Sequence, residues 1–276
     1  MNYQELLVDA SKQLKYYKFN SAKLDAELIL CKTLGLSREK ILLNLNEKIN
    51  DEVLEKFNYF LKLRKQNRPI AYILGFKDFW KYKFQVDKNV LIPRPETEII
   101  IEQALKNLPK LSKKNILDIG TGSGCIIISI IKERENCKAT AIDKSLKALK
   151  VAKLNAEMHH VQKKIKFLNI DVDKYLDLIV SNPPYIKDIE ILSLDKDVKL
   201  NEPKLALSGG KSGLNKVFKV IKKSQKLLKT NGKLILEIGD KQSKEVKKYL
   251  IKNNFNQIKI FKDLSGKNRC VVSTKS

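Results

Sequence analysis

Two histidines, adjacent at positions 159 and 160, are all the imidazole in a chain of 276 residues. A histidine general base has little to build on, and His159 and His160 are read as surface residues at a helix end. The four cysteines, Cys31, Cys125, Cys137 and Cys270, are scattered without a Cys-x-x-Cys pair. That pattern disfavours a zinc ribbon or a disulfide framework and fits buried or semi-buried thiols. No metal is expected. Long apolar runs are missing too: no stretch approaches the roughly 18 residues of a membrane span. The start, Met1-Asn2-Tyr3-Gln4-Glu5, has neither a basic cluster nor a signal-type apolar core. A cytoplasmic protein with no membrane partner is therefore expected. Arginine is scarce at six residues, although the formal net charge is +24. The excess is lysine and it is diffuse, +6 over residues 1–90 and +18 over residues 91–276. Such a charge attracts acidic partners in general. It forms no concentrated patch, so no direct nucleic-acid target is expected.

The length suffices for one large or two ordinary domains. Two are favoured. Asn20 or Ser21 can cap a helix with Leu24, Leu28, Leu30 and Cys31 as its apolar positions, and Gly35 stands where it would stop. Ser37 offers a second cap, and Asp51-Glu52 opens a helical stretch through Val53, Leu54, Phe57, Phe60 and Leu61 that Pro69 closes. Residues 1–69 thus read as a helical module. In residues 70–86 Tyr72, Phe76, Phe79, Trp80, Tyr82 and Phe84 crowd around Gly75, the pattern of a short strand pair, so residues 70–90 are taken as a hairpin linker. Pro93-Arg94-Pro95-Glu96-Thr97 is a rigid entry loop before renewed helical periodicity.

From residue 115 strands and amphipathic segments alternate. Strands are expected at 115–119, 139–142, 165–168, 176–180, 233–238, 257–261 and 270–272. Such alternation predicts an α/β fold, a doubly wound and mainly parallel sheet over residues 91–276, with ligands beyond the carboxyl ends of its strands.

The chemistry-bearing residues fall at those ends. Asp118-Ile119-Gly120-Thr121-Gly122-Ser123-Gly124 follows the first strand and precedes the apolar run 126–131. Gly120, Gly122 and Gly124 allow a tight turn and close backbone approach, and the helix start would present free N–H groups. An adenosine-type cofactor is implied, and the lack of a following Gly-Lys-Ser/Thr disfavours a phosphate-binding Walker loop. Asp143 ends the second strand, 23 positions after Gly120, where a carboxylate can accept from both ribose hydroxyls. Asp171 ends the third, where an adenine amino group would lie. Asn182-Pro183-Pro184-Tyr185 ends the fourth. There the Asn182 side chain and the Pro183 carbonyl offer two acceptors, the prolines stiffen the corner, and Tyr185 offers a flat face, a combination suited to a planar NH2 group.

Taken together, these residues resemble the class I S-adenosylmethionine-dependent methyltransferases (Rossmann-like), and specifically the glutamine N5-methyltransferases of peptide chain release factors, the HemK/PrmC family. The similarity is carried by 68–75 (Arg-Pro-Ile-Ala-Tyr-Ile-Leu-Gly), 91–98 (Leu-Ile-Pro-Arg-Pro-Glu-Thr-Glu), the Gly120–Gly124 turn and Asp143 with Ala148, Ala152 and Asn155. It continues through Asn182–Tyr185, Glu202-Pro203 with Ala206-Leu207, Glu237-Ile238-Gly239, and Asp263-Leu264-Ser265-Gly266 with Arg269. The resemblance implies a helical N-terminal domain that helps recognise a release factor, a hairpin link, and a seven-stranded sheet whose last strand is antiparallel. It also implies S-adenosylmethionine held by Asp118, Gly120–Gly124, Asp143, Asp171, Val172 and Asn182, with Asn182, Pro183, Pro184 and Tyr185 catalytic. Two departures stand out: Val172 occupies a position where relatives often carry an aromatic residue, and only ten residues separate Asp171 from Asn182.

On this expectation a glutamine amide nitrogen, a poor nucleophile, is activated by positioning: two accepted N–H bonds aim its lone pair at the methyl donor. The same corner would also fit an exocyclic base amine or a ribosomal-protein glutamine.

Overall fold

In the computed structural model, residues 1–170, 172 and 175–276 are described. They form two compact units, Met1–Phe76 with Lys196–Asn201, and Lys77–Asp195 with Glu202–Ser276.

The first unit is built from helices at Tyr3–Tyr16, Ala22–Leu34, Arg38–Leu43, Asp51–Lys65 and Ile70–Leu74. Local sequence sets their ends. Asn2 and Glu5 form a capping box, Ser37 and Asn50 each accept a backbone N–H, and Gly35 closes the second helix at φ 68°. Leu6, Leu14, Ile29, Leu30, Ile41 and Phe57 fill the core. One expectation fails here. Leu24 is exposed, and the inward face of the second helix is Ala22, Asp25, Ala26, Ile29, Leu30 and Thr33. A buried carboxylate is tolerable because Arg64 Nε donates to Asp25 Oδ2 at 2.7 Å, while the Arg64 guanidinium lies 3.8 Å from the Phe19 ring centre. Residues 70–74 also depart from the expected strand. They make one helical turn that Gly75 ends at φ 85°, and the hairpin itself is β1 (Phe76–Phe79) and β2 (Tyr82–Gln85).

In the second unit the strands β3 (Asn115–Ile119), β4 (Lys138–Ile142), β5 (Ile165–Leu168), β6 (Leu176–Ser181), β7 (Leu228–Glu237), β8 (Phe255–Lys262) and β9 (Asn268–Lys275) make one seven-stranded sheet. Its order is β5-β4-β3-β6-β7-β9-β8. β9 runs antiparallel to both neighbours and the remaining pairs are parallel, as the resemblance implied. β7 starts five residues earlier than expected because Leu228 pairs with Leu176 before the ladder shifts register. Helices cover both faces. Ile126–Ile128, Ile130 and Ile131 pack one side against Ile116 and Val180, and Val217, Ile221, Val246 and Leu250 pack the other against Leu117, Ile179 and Leu236. Chain order reverses at β3, with β4 and β5 on one flank and β6 on the other, which opens a crevice at the carboxyl ends of β3 and β6.

His159 is not a free surface residue. It is half-buried, one ring nitrogen lies 2.8 Å from the Lys83 carbonyl, and its ring packs on Tyr82 and Phe84. Burial depresses its pKa.

Candidate active site

Register alone brings the site together. Asp118 pairs with Val180 and Ile119 with Ile142, so the loops after β3, β4 and β6 leave the sheet side by side. Between them lies a cavity of about 450 Å³. Gly120, Thr121, Gly122, Ser123, Asp143, Asn182, Pro183 and Pro184 all line it.

The loop after β3 depends on glycine. Gly120, Gly122 and Gly124 have φ of 76°, 55° and 81°, values that side chains with a Cβ avoid. The three differ in surroundings. A Cβ at Gly120 or Gly122 would meet nothing within 4 Å, whereas at Gly124 it would lie 2.9 Å from Ile128 Cδ1. Gly124 therefore serves the packing of the helix Cys125–Glu133, and Gly120 and Gly122 leave an open cradle on the cavity side.

The loop's N–H groups are less free than expected. Gly120 N and Thr121 N both donate to the Ile142 carbonyl, at 2.8 and 3.1 Å, and Gly124 N to the Thr121 carbonyl at 2.8 Å. Gly122 N donates to Asp143 Oδ2 at 3.0 Å. A pyrophosphate site needs such donors turned outward; here three of them bond the end of β4 and one bonds within the loop, which suits a nucleoside ligand without phosphates.

Asp143 is likewise a partner of the backbone as well as a candidate ligand. Its Oδ1 accepts from Ser145 N at 2.8 Å, and each oxygen keeps lone-pair capacity for a ribose hydroxyl. Asp118 sits underneath. It is fully buried and absent from the cavity lining, Oδ2 accepts from Thr121 Oγ1 at 2.7 Å, and Oδ1 has no partner among the described residues. Burial, opposed by the Thr121 bond and reinforced by the Asp143 charge, pushes its carboxyl up to about 7. Asp118 thus supports the loop without facing a guest. Behind the loop, buried Asn155 donates to the carbonyls of Ser123 and Gln85 at 2.8 and 3.0 Å and accepts from Gln85 N at 2.7 Å. It ties the glycine turn to β2.

Val172 packs against the core side that holds Leu117 and Ile179 and is not among the lining residues. Asp171 lies outside the described residues.

At the end of β6 the Asn182 amide nitrogen donates to Thr97 Oγ1 at 3.0 Å. Tyr185 departs from the open flat face expected of it. It does not line the cavity. Its hydroxyl donates to Glu237 Oε1 at 3.0 Å, and its carbonyl accepts from Gln242 Nε2 at 3.0 Å. Burial raises the Tyr185 hydroxyl pKa and pushes the Glu237 carboxyl up to about 7, against the opposing pull of the Thr97 and Tyr185 hydroxyls and of Arg269.

Arg94 also lines the cavity and pairs with the buried carboxylate of Glu202, whose second oxygen accepts from Ile92 N at 3.2 Å. This pair staples the Pro-Arg-Pro loop to the Glu202-Pro203 segment, two stretches 108 residues apart. Reading the motifs one at a time gave no role to Thr97, Glu202 or Glu237. A signal existed for Glu237, a lone acid closing the apolar run Leu234-Ile235-Leu236. Among the described residues no group of three or more His, Cys, Asp or Glu is placed to hold a metal, and no helix is long and apolar enough to cross a membrane.

Comparison with known proteins bears on the fold and the family. Residues 5–75 match the family described as PrmC N-terminal domain, and residues 98–198 the methyltransferase small domain. Among solved structures, a methyltransferase from Pyrococcus furiosus superimposes with a TM-score of 0.54 at 20% identity, covering 79% of this chain and 98% of that one. The ribosomal protein L11 methylase from Lactobacillus delbrueckii subsp. bulgaricus gives 0.50 at 20%, covering 72% and 91%. These two establish the fold. The chain is also 34% identical to the bifunctional methyltransferase of Rickettsia felis, over 98% of this chain but only 57% of that longer protein. Release factor glutamine methyltransferases match along their whole length: that of Caulobacter vibrioides is 35% identical over 97% of this chain and 94% of its own, and that of Clostridium botulinum 37% over 99% of each. With identity at this level along both chains, the protein belongs to the release factor glutamine methyltransferase family.

Proposed function

We propose that this protein methylates the side-chain amide nitrogen of a glutamine in a peptide chain release factor, using S-adenosylmethionine. The observation that carries the reading is the Asn182 amide. With its NH2 group committed to Thr97, the oxygen is left as an acceptor beside the Pro183 carbonyl, whose residue also lines the cavity. Two fixed acceptors match the two N–H bonds of a primary carboxamide, and holding both removes the rotational freedom that makes an amide nitrogen a rare attacker.

The cavity fits the cofactor. The open cradle at Gly120 and Gly122, the inward-turned N–H groups and the remaining lone pairs of Asp143 suit a nucleoside without phosphates. Asp143 would hold the ribose and the Gly120–Gly124 turn the amino-acid end. When bound, S-adenosylmethionine supplies an electrophilic methyl group. The protein's own part is to place the acceptor nitrogen, to exclude water with the stapled Pro93–Arg94 and Pro203 segments, and to let the surplus proton leave to solvent afterwards. Tyr185 holds the corner from behind, its hydroxyl bonded to Glu237. Residues 1–69 are assigned to recognition of the release factor, residues 70–90 to the link and residues 91–276 to transfer. The diffuse positive charge favours an acidic partner surface, and the free thiols suit a cytoplasmic setting.

The test is labelled S-adenosylmethionine offered with release factor, ribosomal protein, tRNA and DNA separately. Label in the release factor, at a glutamine, is expected; label in nucleic acid alone would overturn the reading. Asn182→Ala should lower turnover about 100-fold or more, as loss of a group acting on the reacting centre does, while calorimetry shows nearly unchanged cofactor affinity.

A further inference from the structure

The acceptor corner cannot brace itself. Pro183 and Pro184 carry no N–H, so the peptide units on either side of Pro183 have no donor with which to hold a neighbour, and on the reading above the Pro183 carbonyl is kept open for a guest. Its position must then be set from the flanks. On the near side Ser181 Oγ donates to the Ile119 carbonyl at 2.7 Å and the Asn182 amide bonds Thr97. On the far side stands Tyr185, whose hydroxyl reaches Glu237 Oε1 at 3.0 Å. A single bond at the tip of a side chain lets the backbone behind it pivot.

Gln242 removes that pivot. It ends the short turn Asp240–Gln242 after β7, its Nε2 donates to the Tyr185 carbonyl at 3.0 Å and to the Gly213 carbonyl at 3.2 Å, and its Oε1 accepts from Gly239 N at 2.9 Å. Two carbonyls can only accept and a backbone N–H can only donate, so one orientation of the amide satisfies all three. Glycine makes the room. A Cβ at Gly213 would lie 2.6 Å from the Tyr185 carbonyl oxygen and 2.9 Å from Gln242 Nε2, and one at Gly239 would lie 3.2 Å from Gln242 Cδ. The loop that contains Gly213 also holds the residues after Tyr185: Gly209 N donates to the Ile186 carbonyl at 2.8 Å and Asp188 N to the Gly210 carbonyl at 3.3 Å. Neither Gln242 nor Gly213 lines the cavity.

We propose that Gln242 is a positioning residue for methyl transfer: by gripping the Tyr185 carbonyl it fixes the far end of the acceptor corner and, through the two stiff prolines, the direction of the Pro183 carbonyl. The inference rests on the glutamine-methylating reading and deepens it. No covalent bond is made or broken in this clamp. Tyr185 is held at two points, hydroxyl and carbonyl, by residues at the end of β7 and just beyond it, so a shift of the corner has to break one of them. Without the Gln242 bonds the prolines stay rigid but move as a body, and an acceptor nitrogen held by the Pro183 carbonyl moves with them.

The test compares Gln242→Met, Gln242→Glu, Val246→Ala and Asn182→Ala on a release factor substrate, with kcat, both KM values and calorimetric affinity for S-adenosylhomocysteine. Gln242→Met keeps the length and loses the donor, and Gln242→Glu keeps the acceptor for Gly239 N but sets an oxygen against two carbonyls. Each should lower kcat about 10- to 100-fold, since a displacement of about 1 Å at the reacting groups costs about 100-fold. Cofactor affinity should stay within about twofold, because uniform binding is untouched. Val246→Ala is the structural control. Val246 is buried in the helix Ser243–Lys252 that follows Gln242, and its truncation opens a core cavity without touching the clamp, so kcat should remain that of wild type. If both Gln242 variants turn over like wild type while Asn182→Ala is inactive, or if Val246→Ala loses as much kcat as they do, the clamp is wrong and the Asn182 role survives. If Asn182→Ala itself turns over normally, the underlying reading falls and the inference with it. Should the Gln242 variants fail to fold, Gly213→Ala decides, since its Cβ crowds the same carbonyl: lowered kcat at unchanged cofactor affinity supports the clamp, and a wild-type kcat overturns it.

Discussion

Asp118→Asn should alter how stability depends on pH. The Asp118 carboxyl is fully buried, one oxygen holds Thr121 and the other has no partner. Burial first, then the Asp143 charge, raise its pKa from an ordinary 3.8 to about 7, with the Thr121 bond opposing them. Below pH 3.8 folded and unfolded chains both hold the proton. Between there and about 7 the unfolded chain releases it and the folded chain does not, so folding loses about 1.4 kcal/mol per pH unit, about 4 kcal/mol in all, and nothing further above 7. The asparagine variant lacks this slope. Its stability relative to wild type should rise by about 4 kcal/mol from pH 4 to pH 8, on top of a constant offset from the new NH2 group. Glu237, raised by burial in the same direction, contributes equally to both proteins and cancels. The chain has one tryptophan, Trp80, which belongs to the second unit, so its fluorescence in urea follows the unit that contains Asp118. Parallel stability curves for variant and wild type would refute the reasoning.

Three more expectations concern other parts of the molecule. Gly124→Ala forces a Cβ to within 2.9 Å of Ile128 Cδ1 at a φ of 81° and should cost about 2–4 kcal/mol in urea unfolding, whereas Gly120→Ala, with open space around it, should cost only about 1–2 kcal/mol. Asp143→Ala removes the acceptor for Gly122 N and Ser145 N and should weaken S-adenosylmethionine about 10-fold or more by calorimetry; an unchanged affinity would contradict its ribose role. Asp25→Ala strands the Arg64 guanidinium, 5% exposed, with Asp197 at 3.6 Å as its one remaining carboxylate partner among the described residues, and should destabilise the first unit by about 3 kcal/mol on hydrogen exchange.

Legibility in the sequence followed distance along the chain. The strands of the second unit stand out because they are short apolar runs with amphipathic segments between most of them, and that alternation marks a doubly wound, mainly parallel sheet. The expected strand 233–238 falls short of β7 because the leading Leu228 is held by a partner more than 50 residues away, which a local pattern does not show. The inward face of Ala22–Leu34 was misread for a related reason. Leucine spacing pointed to Leu24 and Leu28, but the buried Asp25 is decided by Arg64, which local periodicity cannot see.

The same limit separates what was visible of the site from what was not. Glycines and prolines announce themselves because they act on their own backbone, so the Gly120–Gly124 turn and the Asn182–Pro184 corner were found and do line one cavity. Polar side chains act on whatever the fold brings to them. Asp143 was expected to face a ribose, and it also holds Gly122 and Ser145. Tyr185 was expected to offer its ring, yet its hydroxyl is bound to Glu237, 52 residues on. Thr97 stands in the 91–98 stretch, 85 residues before Asn182, and nothing in its neighbours says that it bonds that amide. A motif therefore locates the acceptor group, whereas the partner of its amide stands 85 residues away in the chain, and Thr97→Val should lower turnover while leaving Asn182 in place.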